Sequence, residues 1–160
     1  MTGLGSAADL TWNERLLTGI NAIDAQHKTL FNSVTLLQEA VQERSMIRTC
    51  YMLEQLSANV SNHFRDEEYA MRLHDFPHLT EHIREHRDFT NHLYWVRKAC
   101  LSHEITGELL TELGSWLLEH VSKSDIDYVP YLTPDRCLLP MTLFDMHTPA
   151  GNTALRPLKP

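Results

Sequence analysis

Residues 77–89 read PHLTEHIREHRDF, and this stretch decides the kind of protein the chain encodes. From it onward Leu79, His82, His86, Phe89, Leu93, Val96 and Cys100 recur at three- and four-residue steps, the spacing that lines up one face of an α-helix. Such a face is ordinarily apolar, because it packs against the rest of the protein. Here two imidazoles, His82 and His86, stand one turn apart in the middle of it. Burying unpartnered imidazoles costs several kcal/mol. The stripe therefore predicts a helix whose core face serves a polar site.

Three more segments carry the same repeat. The first aligns Ile20, Ile23, His27, Leu30, Val34, Leu37 and Val41; the second Leu53, Leu56, Val60, His63, Glu67 and Ala70; the fourth Leu109, Leu113, Trp116 and His120. No β-type alternation of comparable length occurs. Pro77 suits the first turn of the third helix, residues 102–107 separate the third helix from the fourth, and Pro130 and Pro134 end the helical region. Connections this short make neighbouring helices antiparallel. The fold class read from the sequence is all-α: an up-down-up-down antiparallel four-helix bundle over residues 19–132, with an N-terminal arm at 1–18 and an irregular C-terminal extension at 133–160.

That topology puts the polar core residues in register. His27 lies about 17 residues before the turn near Arg44 and His63 about 19 after it, so both fall roughly 25–28 Å from that turn at about 1.5 Å per residue. From the turn near His103 it is about 17 residues back to His86, about 21 back to His82 and about 17 forward to His120. All four helices thus deliver a histidine to one layer at one end of the bundle.

Composition narrows the partners. With 14 Lys and Arg against 21 Asp and Glu, a formal charge of −7 and a pI near 5.7, the chain offers no basic footprint for nucleic acid or for an anionic membrane. No run approaches the ~20 apolar residues of a membrane span, and the first residues, MTGLGSAADLTW, lack a basic start followed by an apolar core. A cytoplasmic protein is expected. Cys50, Cys100 and Cys137 form no CxxC pair, so free thiols are expected in place of a disulfide framework or a thiolate metal site.

His63 and Glu67, like His82 and His86, are one turn apart and converge on a common point. Imidazoles combined with carboxylates suit iron, zinc or copper better than magnesium or calcium. His74 and His78 extend the ladder, but His78 lies off the core stripe and His74 precedes Pro77, so neither is expected to be a ligand; His92, His103 and His147 are read as surface residues. Phe31, Phe64, Met71, Trp116, Leu117 and Val121 fall near the layer, where an apolar wall excludes water.

These motifs resemble the hemerythrin family: GINAIDAQHKTLF at 19–31, HFRDEE at 63–68, PHLTEHIREHRDF at 77–89 and WLLEHVSKSDIDY at 116–128. The resemblance covers the chain from Trp12 to Tyr131 and leaves no ligand position of the family empty. It implies two iron ions, cycling between Fe2+ and Fe3+ and joined by an oxo or hydroxo bridge. His82, His86 and His120 would hold one, His27 and His63 the other, and Glu67 and Asp125 would bridge them. Helix geometry alone leaves the last ligand open. Asp125 is five residues past His120, about 140° around an ideal helix, whereas Asp127 at seven returns to the same face. The family spacing favours Asp125, which requires the fourth helix to end or distort locally.

The resemblance implies reversible binding of dioxygen, for carriage, storage or sensing, in a protein that is not an enzyme. The alternatives are a di-iron redox enzyme, oxidase-like, peroxidase-like or acting on nitric oxide, and iron binding or storage without oxygen chemistry. Oxygen-activating di-iron enzymes share the bundle but use carboxylate-rich Glu-x-x-His sites; this site is rich in histidine. Delivery or signalling would call for a separate protein partner.

Overall fold

The structure, a computed structural model, describes residues 12–102 and 105–132. The C-terminal extension, His103 and His147 lie outside the described residues. Four long helices, α1 (Asn21–Gln42), α2 (Met46–Leu73), α3 (Leu79–Leu101) and α4 (Gly107–Ser122), are followed by the short α5 (Ser124–Tyr128). α1 and α3 each pack against both α2 and α4, which closes the four into a bundle. Residues early in α1 and α3 meet residues late in α2 and α4, so successive helices run in opposite directions, as the register of the histidines predicts.

Local chemistry sets the ends. Asp24, in the first turn of α1, accepts hydrogen bonds from the Thr18 amide (2.8 Å), the Thr18 hydroxyl (2.8 Å) and the Gly19 amide (3.2 Å), which ties the arm to the helix N-terminus. Gly19 is at φ 80°, a conformation that glycine adopts without strain. α1 stops where Arg44 takes φ 55°, and Ser45 caps α2 by accepting from the Arg48 amide. α2 ends with Asp75 at φ 52° and the Phe76 amide bonded back to the Met71 carbonyl at 3.0 Å, a wrapped C-terminal motif. This turn corrects the place given to Pro77: α3 begins at Leu79 with His78 as its N-cap, so Pro77 stands before the helix instead of in its first turn. The buried Phe76 anchors the turn and delays the helix start.

The apolar stripes of α1, α2 and α3 are buried as expected, apart from half-buried Val41 and Leu79. α4 differs. Leu110, Leu113, Leu117 and Val121 form its buried face, while Leu109 and Trp116 are half-buried. The sequence of α4 is apolar over a wide arc, and contact with its neighbours selects which part faces inward.

One apolar cluster fills the bundle from Leu37, Leu56 and Leu113 up to Phe31, Phe64, Phe89 and Leu117; a second, Ile23, Ala70, Met71, Phe76, Tyr128 and Leu132, closes its end. His27 stands between Ile23 and Phe31 on α1, and Glu67 between Phe64 and Met71 on α2. The histidine layer is thus sealed between two dry plugs.

Candidate metal centre

His27, His63, Glu67, His82, His86, His120 and Asp125 are all buried, none more than 4% exposed, and they meet in the layer between the plugs. They form two overlapping groups: Glu67, Asp125, His82, His86 and His120, and Glu67, Asp125, His27 and His63. The two carboxylates belong to both groups. Asp125 reaches His27 Nε2 with Oδ2 (3.0 Å) and the Nε2 atoms of His120 (3.1 Å) and His82 (3.4 Å) with Oδ1. Glu67 lies 3.7 Å from His27 Nε2 through Oε1 and 3.3 Å from the Nε2 atoms of His63 and His86 through Oε2. Ligand atoms bound at about 2.0–2.2 Å to one ion stand roughly 3–3.5 Å apart, so these separations suit ions held between the groups.

Of the two aspartates that helix geometry left open, Asp125 is the one that lies in the layer. At Lys123 the backbone leaves the helical region (φ −125°, ψ −70°), and a separate short helix, α5, starts at Ser124. The break turns Asp125 inward, fully buried, and leaves Asp127 exposed. His74 and His78 belong to neither group; His78 is exposed and packs edge-on to Phe76. His92 is half-buried, where a surface position was expected: its place on α3 brings it against the bundle's flank.

Several residues that the periodicity gave no reason to single out orient the cluster. His63 Nδ1 donates to Gln26 Oε1 (3.1 Å), and Gln26 in turn donates to Asp66 (2.8 Å). His86 Nδ1 donates to Glu68 (3.0 Å) and His120 Nδ1 to Glu85 (2.9 Å). Each bond fixes a ring and aims its Nε2 into the layer, the arrangement that outer carboxylates give to metal-binding imidazoles. Tyr128, completely buried, donates its hydroxyl to Glu67 Oε1. HFRDEE held the signal for Asp66 and Glu68, one residue either side of Glu67, but polar residues on a helix are too common to choose by sequence.

Most of the inner atoms have no such partners; among the imidazoles, His86 Nε2 and His120 Nε2 face each other at 3.1 Å. His63 Nε2, His82 Nε2, both oxygens of Asp125, Glu67 Oε2 and both nitrogens of His27 are buried without a hydrogen bond. Orphaned acceptors and imidazoles facing one another in a dry core fit a bound cation, which compensates them together. Without one, the ionic balance is shifted. Burial alone would lower His27 and His86, but the carboxylates outweigh it and raise both to about 9. Burial lowers His63 to about 3. Burial would raise Glu67 and Asp125, yet the surrounding histidines hold Glu67 well below its ordinary range and Asp125 at about 2.

Aromatic rings wall the layer. Phe64 stacks on His86 (3.7 Å between centroids), Trp116 stacks on His120 (4.5 Å), and Trp12 of the arm covers His27 at 6.1 Å.

The family model described as the Hemerythrin HHE cation binding domain matches residues 18–132. The chain belongs to the hemerythrin family. Among its relatives, a bacteriohemerythrin of Pseudomonas paraeruginosa is 31% identical over 123 residues, 76% of this chain and 80% of that one. A hemerythrin subunit alpha of Lingula reevii is 27% identical over 121 residues, 76% of this chain and 93% of that one. The crystal structure of wild-type hemerythrin superposes with a TM-score of 0.72 at 26% identity, covering 78% of this chain and 98% of that one. Hemerythrins are oxygen-binding proteins with a binuclear iron site, and the cluster of histidines and carboxylates here is compatible with one. Among the described residues no helix is long and apolar enough to cross a membrane.

Proposed function

We propose that this protein binds dioxygen reversibly at a pair of iron ions held by His82, His86 and His120 on one side, His27 and His63 on the other, and Glu67 and Asp125 between them. The observation that carries this is the pair of overlapping ligand groups with unequal histidine counts, three against two, sharing both carboxylates. Ferrous ions in such a site supply the electrons that oxygen binding needs.

The chain's own residues do the rest. Glu68, Glu85 and Gln26 hold three imidazoles with Nε2 turned inward. The side with two histidines offers one ligand fewer, which is where a small molecule finds room; Trp12 covers it. Phe64, Trp116 and the end plug keep water, and therefore stray protons, away from the layer. Tyr128 keeps its proton while donating to Glu67, since burial and the neighbouring carboxylates push its hydroxyl well above the ordinary range. Five histidines against two carboxylates favour carriage over oxidation of a substrate, because carboxylate-rich shells suit strongly oxidised iron.

On the same reading the bundle spans 19–132, flanked by an arm and an extension, and the protein works in the cytoplasm as a carrier, store or sensor with no need of nucleic acid. The test is to load the protein with two equivalents of ferrous iron without oxygen, admit oxygen, and then remove it. A visible charge-transfer band that appears and vanishes with oxygen is expected. Irreversible oxidation with consumption of an added reductant would replace this proposal with a redox enzyme, and failure to bind iron would overturn the ligand set.

A further inference from the structure

Cys50 in the first turns of α2 and Cys100 at the end of α3, fifty positions apart in sequence, come together at the end of the bundle remote from the histidine layer. Both are free thiols, and their sulfurs are 2.8 Å apart. Nonbonded heavy atoms rest at about 3.5–4.0 Å and a disulfide at about 2.05 Å, so the pair is already inside ordinary contact and less than about 1 Å from a bond. Met46 lies against both sulfurs, with its Sδ at 3.8 Å from Cys50 and 3.6 Å from Cys100, and closes the pair from the side.

The two thiols are not equivalent. Cys100 is buried at 1% exposure, whereas Cys50 is half-buried. Both border a cavity of about 250 Å3 whose wall includes Tyr94, Arg97 and Lys98. We propose that Cys50 and Cys100 are a redox-active dithiol that reduces hydrogen peroxide and closes to a disulfide between α2 and α3.

The accessible Cys50 sulfur attacks one peroxide oxygen; the O–O bond breaks, a water leaves, and Cys50 becomes a sulfenic acid. Cys100 then attacks that sulfur, its proton leaves with the hydroxyl as a second water, and the S–S bond forms. Two thiols lose two electrons and two protons in all, and one peroxide becomes two waters. Burial and the adjacent Cys50 push the Cys100 thiol up to about 12, so Cys100 keeps its proton while Cys50 meets the oxidant. The cavity selects the oxidant class. It must admit a molecule to Cys50 and leave no bulky adduct on a sulfur that has its partner 2.8 Å behind it. Peroxide leaves only one oxygen.

The two thiols lie away from the metal centre, and they can be tested without it. The full chain, fully reduced and freed of iron by a chelator, is treated with a slight excess of hydrogen peroxide. Of its three thiols one should remain, the mass should fall by two hydrogens, and digestion should yield a Cys50–Cys100 linked peptide that dithiothreitol separates. Retention of all three thiols, a link to Cys137, or sulfinic acid at Cys50 without a link would each overturn the proposal. Cys100→Ser should accumulate a sulfenic acid at Cys50 that a 1,3-dicarbonyl reagent traps, while Cys50→Ser should leave Cys100 unreacted. Equal labelling of the two variants would refute the order of attack and with it the proposed site.

Discussion

Tyr128→Phe isolates one bond in the centre. Tyr128 is completely buried, and its hydroxyl donates to Glu67 Oε1; its ring packs on Phe76 (6.4 Å) and His82 (5.7 Å), contacts that phenylalanine keeps. The substitution therefore removes a hydrogen bond to a buried carboxylate and little else. Hydrogen bonds to charged groups contribute about 1.5–3 kcal/mol, and a domain of this size loses roughly 2–4 °C of melting temperature per kcal/mol. The expected loss is about 3–12 °C in chelator-treated protein, read by circular dichroism at pH 7. The loss should shrink once iron is loaded, because a cation then compensates the same carboxylate. An unchanged melting temperature in the metal-free protein would refute the reasoning, since it would mean that the hydroxyl contributes nothing to holding Glu67.

Asp125→Asn should lose at least one equivalent of bound iron while Asp127→Asn binds as the parent does, measured by metal analysis after gel filtration; equal behaviour would contradict the inward turn at Lys123. Glu85→Gln and Glu68→Gln should weaken iron binding through His120 and His86. Such outer partners are worth about 10–100-fold, and the 45% exposure of Glu85 puts its effect near the low end, as competition against a chromophoric chelator would report. In metal-free protein His27 and His86 stand at about 9 against an ordinary 6.5, so the stability from their ion pairs is fully present below about pH 6.5 and lost as pH rises through about 9. Iron must displace those protons, so its uptake should release acid and tighten with rising pH; a flat melting profile from pH 6 to 9.5 in chelator would argue against the pairs. Phe64→Ala should destabilise by about 3–5 kcal/mol in denaturant unfolding, since Phe64 is both core and the ring stacked on His86.

The bundle and most of the buried cluster are legible in the residue pattern. Periodicity and turn length are local properties, and the count of residues from each turn to each histidine is a ruler once neighbouring helices are antiparallel. On that count alone His27, His63, His82, His86 and His120 fall in one layer, and the one-turn spacing adds Glu67. Asp125 was different: an ideal helix would have presented Asp127, and only the break at Lys123 turns Asp125 inward. Whether a helix continues for one more turn depends on what that end of the bundle needs to bury, here Tyr128 and Leu132 against Phe76 and Ile23. The same holds for the inward face of α4, for Gln26, Glu68 and Glu85 behind the imidazoles, and for Trp12 over His27. It holds most clearly for Cys50 and Cys100, whose separation in sequence carries no hint that they touch. Repeats along one helix are written in the chain, whereas contacts between side chains of different helices depend on rotation and packing that all the helices settle together.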